Sequence, residues 1–157
     1  RVPLVISLPG QVESGLVSNA LVELTDIAPT LLELAYVPIS PRVMGRSLLP
    51  LLTRTTDIHQ HRDFVRCEYY RDQTLNPKIR PHFEGSYATM IRDRQYKMVV
   101  YHGRETGQLF DLEKDPDEFD NLWDHPDYVT LRFDLMKLNF DALAFAVDVG
   151  PVPTQGF

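Results

Sequence analysis

The chain has one cysteine, one tryptophan, no apolar run approaching a membrane span, and fewer cations than anions. With only Cys67, it can form neither an internal disulfide nor a cysteine-rich zinc site, although one thiol leaves the redox compartment open. The longest apolar runs, residues 2–8 and 48–52, fall far short of the roughly 20 residues a spanning helix needs. Sixteen Lys and Arg against twenty-two Asp and Glu leave a net charge of −6. Such a chain lacks the cationic surface that DNA or an anionic membrane requires, so neither is expected as a partner.

What is present is the composition of an ordinary soluble globular protein: 157 residues, 43% hydrophobic and 24% charged. A chain of this length can bury roughly 68–70% of the surface its unfolded form exposes, enough for one domain or two small lobes. It opens at Arg1 and runs directly into Val-Pro-Leu-Val-Ile-Ser-Leu without a leader, which reads as a piece of a longer polypeptide.

Residues 2–8, rich in β-branched side chains and closed by Pro9-Gly10, predict a strand buried on both faces. Pro29 is tolerated only in the first turn of a helix, so a helix is expected to start near Thr25, capped by Thr25 or Asp26, with Ile27, Leu31 and Leu34 on one face. Gly45 to Leu52 predicts a short helix with Ser47 at its cap and Pro50 in its first turn. The polar, aperiodic stretch 53–62 reads as a connector.

Beyond the connector the pattern becomes alternating. Residues 64–70, 87–92, 95–102 and 108–112 are strand-length runs of aromatic and β-branched residues, with short turns between the last three, and predict a four-stranded antiparallel sheet. Residues 111–118 form a turn segment, and Asp124-His125-Pro126 opens a final helix. Its stripe of Tyr128, Leu131, Leu135, Leu138 and Ala142 is wide enough to cover one face of the sheet. The Pro- and Gly-containing tail from Gly150 is expected on the surface.

In order and spacing, the segments RVPLVISLPG, LVELTDIAPTLLELA, MGRSLLPLL, YATMIRDRQYKMVVYHG and GQLFDLEKDPDEFDNLW resemble the C-terminal part of the sulfatases, over about the first 125 residues and loosely into the final helix. The resemblance implies an α/β fold of the alkaline phosphatase superfamily. Residues 1–56 would end the sandwich of the catalytic domain. Residues 57–157 would form a small α+β lobe with a four-stranded antiparallel sheet and a C-terminal helix. It further implies a sulfuric ester hydrolase in which formylglycine, made from Cys or Ser in a Cys/Ser-x-Pro/Ala-x-Arg motif, works beside a divalent cation, calcium being the expected one. Both would lie in an N-terminal catalytic part upstream of this chain. No catalytic or metal position carries over to these residues, and the chain by itself is expected to be inactive, the substrate of the intact protein being a small-molecule sulfate ester.

Several local features compete with that reading. Cys67-Glu68-Tyr69-Tyr70-Arg71 has the Cys–Arg spacing of the formylglycine motif, but Tyr69 stands where Pro or Ala is needed, so Cys67 is read as a small buried strand residue. His59 and His61, with Asp57 and Asp63, offer metal-ligand types without a fixed third ligand and read as solvated linker. The acidic residues Asp111, Asp115, Asp117 and Glu118 lack calcium-loop spacing and read as turn and cap groups. His102 and His125 read as structural, and Glu68, Arg92 and Lys97 as a cross-strand charge set.

Residues 71–86, too long for a tight hairpin, concentrate Lys78, Arg80 and His82 in an acidic chain and are the candidate substrate-binding residues at the rim of a pocket. Two alternatives stand beside the sulfatase reading: a phosphonate or phosphodiester hydrolase of the same superfamily, and a noncatalytic binding or assembly module.

Overall fold

Proline placement decides where the first helix begins. In the structure, a computed structural model that describes residues 2–71 and 86–146, a 3-10 turn at Leu24–Asp26 runs into α1 (Ile27–Leu34), with Pro29 in its first turn. The described residues form two compact units, one within residues 2–63 and the other within 64–146.

In the first unit, α1 packs against the short α2 (Leu49–Leu52). Pro50 occupies the first turn of α2, as its sequence predicts, but the cap position falls to Leu48 rather than the expected Ser47, whose Oγ still accepts from the Leu49 amide at 3.1 Å. The buried side of α1 is not the expected apolar one: Leu31 is 61% exposed, whereas Pro29 and Thr30 are buried. Thr30 is drawn inside by bonding, since its hydroxyl donates to the Asp26 carbonyl at 2.6 Å and accepts from the Leu48 amide at 2.8 Å. Gly45 lies so close to the start of α1 that an added Cβ would sit 1.9 Å from the Thr25 carbonyl oxygen, and only glycine fits there.

Residues 2–8 do not form the expected buried strand. They carry no regular structure, and Val2 and Val5 are 76% and 88% exposed. A strand exists only where another pairs with its backbone, and every strand among the described residues belongs to the second unit.

The second unit is a meander. Strands β1 (Val65–Arg71), β2 (Ser86–Arg92), β3 (Tyr96–Tyr101) and β4 (Gly107–Asp111) pair antiparallel in the order β1-β2-β3-β4, as the alternating pattern predicts. Asp93 Oδ1 pins the β2–β3 turn by accepting from the amides of Gln95 and Tyr96 at 2.8 and 2.5 Å. Gly103, at φ +76°, supplies the left-handed residue of the next turn.

Asp111 is buried and accepts from the Glu113 and Lys114 amides at 3.2 and 3.3 Å, with Lys114 Nζ at 3.0 Å. Burial alone would raise its pKa, but the bonds from Lys114 and Glu113 outweigh burial and hold the carboxyl below its ordinary value. The same bond to Asp111, with one that Lys114 donates to the Tyr128 hydroxyl oxygen, pushes the Lys114 ammonium up.

The final helix opens as expected at a 3-10 turn, Pro126–Tyr128, whose preceding His125 accepts from the Asp127 amide through Nδ1 at 3.3 Å. α3 (Val129–Phe145) then lays Leu135 onto Ile91, Met98 and Leu109, with Tyr128, Leu131 and Leu138 packed around them. Trp123 closes one end of this core: an added Cβ on Gly107 would lie 2.3 Å from its ring. The Arg132 guanidinium stacks 5.0 Å from the ring centroid and donates to the Trp123 carbonyl.

Candidate functional site

Within the first unit, the densest polar arrangement is built on Asp26, which is fully buried. Its Oδ1 accepts from the Arg46 amide at 2.8 Å and from Arg62 Nη2; its Oδ2 accepts from the Glu23 amide at 2.8 Å and faces His61 Nε2 at 3.5 Å. Arg62 Nη1 also pairs with Glu23 at 2.9 Å. Burial holds the His61 imidazole below its ordinary pKa, against the pull of the Asp26 carboxylate.

One carboxylate thereby ties together the start of α1, the turn before α2 and residues 61–62. Within the stretch 53–62, residues 54–57, 59 and 60 are exposed and irregular, as a solvated connector would be; its end is not, since Arg62 is fastened to Asp26 and His61 faces it, while the Asn19 amide donates to His59 Nδ1 at 3.2 Å. Because amides and a guanidinium already occupy both oxygens of Asp26, the set does not suit a divalent cation. No group of three or more His, Cys, Asp or Glu among the described residues could hold one.

In the second unit, the strand register sorts the sheet face beneath α3 into cross-strand rows. The first row is the apolar Ile91, Met98 and Leu109, with Arg66 opposite Ile91. The second pairs Glu68 with Thr89 and Val100, and α3 reaches it through the buried Asn139. Asn139 Nδ2 donates to Thr89 Oγ1 at 2.9 Å, while its Oδ1 accepts from Arg66 Nε at 2.9 Å. Thr89 Oγ1 lies 3.1 Å from His102 Nε2, so the hydroxyl, whose oxygen accepts from Asn139, is placed to donate a hydrogen bond to the imidazole nitrogen. The third row places Tyr70 opposite Tyr87.

Arg66 pairs with Glu68, and this bond, more than the one from the Tyr70 hydroxyl, holds the Glu68 carboxyl below its usual range. The bond to Glu68 likewise pushes the Tyr70 phenol up.

The expected substrate-binding residues, Lys78, Arg80 and His82, lie outside the described residues, as does the tail from Gly150. The cross-strand set of Glu68, Arg92 and Lys97 does not form. The register turns Glu68 to the face opposite Arg92 and Lys97, and Lys97 pairs instead with Glu118. Cys67 is exposed rather than buried, because it lies on an edge strand and points away from the face that α3 covers. Asp115 accepts from the Asp120 amide at 2.8 Å, the turn role its sequence context predicts. Reading the sequence missed Asp26 as a hub and Asn139 as a bridge. The signal for Asp26 was its place four residues before Thr30 at a helix start; nothing local marks Asn139.

Comparison with known proteins places these units. A family model described as "N-sulphoglucosamine sulphohydrolase, C-terminal" matches residues 1–143. The chain is 33% identical to human arylsulfatase K over 128 residues, 78% of this chain and 22% of that protein. It is 26% identical to the N-acetylglucosamine-6-O-sulfatase of Bacteroides thetaiotaomicron over 141 residues, 88% of this chain and 24% of that protein. The chain therefore spans 22–24% of the length of these relatives. The solved phosphonate monoester hydrolase of Silicibacter pomeroyi superposes with a TM-score of 0.75 at 23% identity over 91% of this chain and 29% of that one, a likeness of fold.

Proposed function

Because the chain belongs to the family of N-sulphoglucosamine sulphohydrolase C-terminal domains, we propose that it is the C-terminal part of a sulfatase that hydrolyses a sulfate ester, with the catalytic groups upstream of residue 1. The observation that carries this reading is the family match across residues 1–143, joined by two relatives named as sulfatases. In this reading residues 1–56 complete the catalytic domain and residues 57–157 form its small lobe. Sulfated sugars are the substrate class, by analogy with the N-acetylglucosamine-6-O-sulfatase. The nucleophile is a formylglycine and the cation is calcium, both held by the N-terminal catalytic part. The Asp26 and Asn139 networks keep the scaffold rigid, and Lys78, Arg80 and His82 lend positive charge and hydrogen bonds to the sulfate-bearing substrate.

The phosphonate hydrolase reading shares this fold, so the scaffold does not separate the two; the names of the relatives favour sulfate. The test is to express the complete gene product and assay it on 6-O-sulfated N-acetylglucosamine, an aryl sulfate and a phosphonate monoester. Sulfate release that depends on a Cys or Ser in a Cys/Ser-x-Pro/Ala-x-Arg motif supports the proposal. Arg80→Ala and His82→Ala should then lower kcat/KM without lowering the melting temperature. Cleavage of the phosphonate alone would overturn the sulfatase reading, and unchanged kinetics in both variants would remove the loop from it.

A further inference from the structure

The third row of the sheet carries a pair of exposed rings. Tyr70 and Tyr87 lie opposite each other on β1 and β2, with centroids 5.9 Å apart and planes tilted by 50°, and they are 55% and 44% exposed. Exposed His102 follows on the β3 side, its amide donating to the Tyr87 carbonyl at 2.8 Å. Glu68 lies on the same face, one row nearer α3.

Single exposed aromatics are ordinary on a protein surface, but these two are adjacent and flanked by groups already fixed in place. Arg66 holds the Glu68 carboxylate, and Thr89, itself anchored by Asn139, holds the His102 imidazole. Two adjacent aromatic faces offer an apolar surface to the C–H face of a ring, and a fixed carboxylate and imidazole offer partners to its hydroxyls. That combination matches a pyranose. Arg66 is taken up by Glu68 and Asn139 and offers a sulfate no uncompensated charge, so the matching ring is one that presents hydroxyls here.

We propose that Tyr70 and Tyr87, with Glu68 and His102 beside them, form a stacking platform for an unsulfated pyranose ring of a glycan. The proposal rests on the sulfatase reading only for the origin of the glycan; the binding itself belongs to this chain.

The experiment titrates the 157-residue chain with an N-acetylglucosamine trisaccharide and its 6-O-sulfated form, following the tyrosine ring resonances by NMR. Saturable shifts of the Tyr70 and Tyr87 signals are expected, with the unsulfated sugar binding at least as tightly as the sulfated one. Tyr70→Ala and Tyr87→Ala should each weaken binding about threefold to tenfold, the range an aromatic contact contributes. Tyr87→Phe should bind within about twofold of the parent, since the ring is kept. Tyr70→Leu, which keeps apolar bulk, separates stacking from folding: it should lose affinity as the alanine variant does while Trp123 fluorescence reports an unchanged melt.

No shift up to about 10 mM sugar, far weaker than ordinary recognition, would overturn the platform, as would alanine variants that bind like the parent or a preference for the sulfated form. Sulfate release by the intact enzyme without sugar binding here would sink the platform and leave the sulfatase reading standing. Binding here without sulfate release would do the reverse.

Discussion

Replacing Asp26 by alanine is the sharpest perturbation of the first unit. The change strips the Glu23 and Arg46 amides of their acceptor and leaves the Arg62 guanidinium, 11% exposed, with Glu23 alone of its two carboxylate partners. Removing one partner of a fully buried charge pair costs about 3–5 kcal/mol, an upper bound here because Glu23 remains, and each part-buried amide that loses its acceptor adds about 1 kcal/mol, the low end for such a group. The sum reaches the whole stability expected of a unit of this size, about 3–9 kcal/mol at roughly 0.05–0.15 kcal/mol per residue. Asp26→Ala should therefore abolish protection in residues 23–48.

The assay is hydrogen exchange by mass spectrometry on peptides from that stretch, because a global melt of two units need not be two-state. Trp123, the only tryptophan, lies in the second unit and reports on it separately. The double variant Asp26→Ala/Arg62→Met should lose less than the sum of the two single changes, since neither charge then remains buried alone. A loss of protection equivalent to less than about 1 kcal/mol in Asp26→Ala, within the range of a solvated surface pair, would refute the reasoning.

Acid should loosen the first unit in a predictable window. Since burial lowers the His61 pKa, the unfolded chain takes up a proton first as pH falls through about 6.5, so stability is full above that value and declines below it towards the depressed folded pKa. Exchange of residues 23–48 at pH 7.5 and 5.5 should show the loss, and His61→Gln should flatten it; an unchanged pH dependence in that variant would assign the effect elsewhere. Gly107→Ala should push Trp123 off β4, given the 2.3 Å approach of an added Cβ, and lower the second unit's melting temperature by several degrees. Red-shifted Trp123 emission in the folded state checks this, and an unshifted spectrum with an unchanged melt would show that the ring yields without cost.

What could be read in the residues follows from the range of the interactions involved. The sheet was legible because alternation, Asp93 and Gly103 act within a few positions, and the stripe from Tyr128 to Leu138 repeats at helical spacing. Residues 2–8 misled because an apolar β-branched run states a preference for pairing without naming a partner. Leu31 misled for a related reason: helical spacing locates a face, but the Thr30 bonds to Asp26 and Leu48 decide which face turns inward. Asp26 reaches residues 20 and 36 positions away, and Asn139 reaches one 73 positions away, separations that leave no periodic trace. Cys67 and Glu68 needed a fact no strand pattern holds, namely which side of the sheet α3 would cover.

The meander has a kinetic meaning. Every strand of the sheet pairs with its neighbour in sequence, and the β2–β3 and β3–β4 hairpins close short loops at small entropic cost, so α3 can dock on a surface assembled largely from local pairings. Beyond its local bond from the Glu23 amide, the Asp26 knot must instead gather segments 20 and 36 residues away before its other bonds form. Sheet and helix should therefore mature first on the timescale of refolding, and the knot should set last.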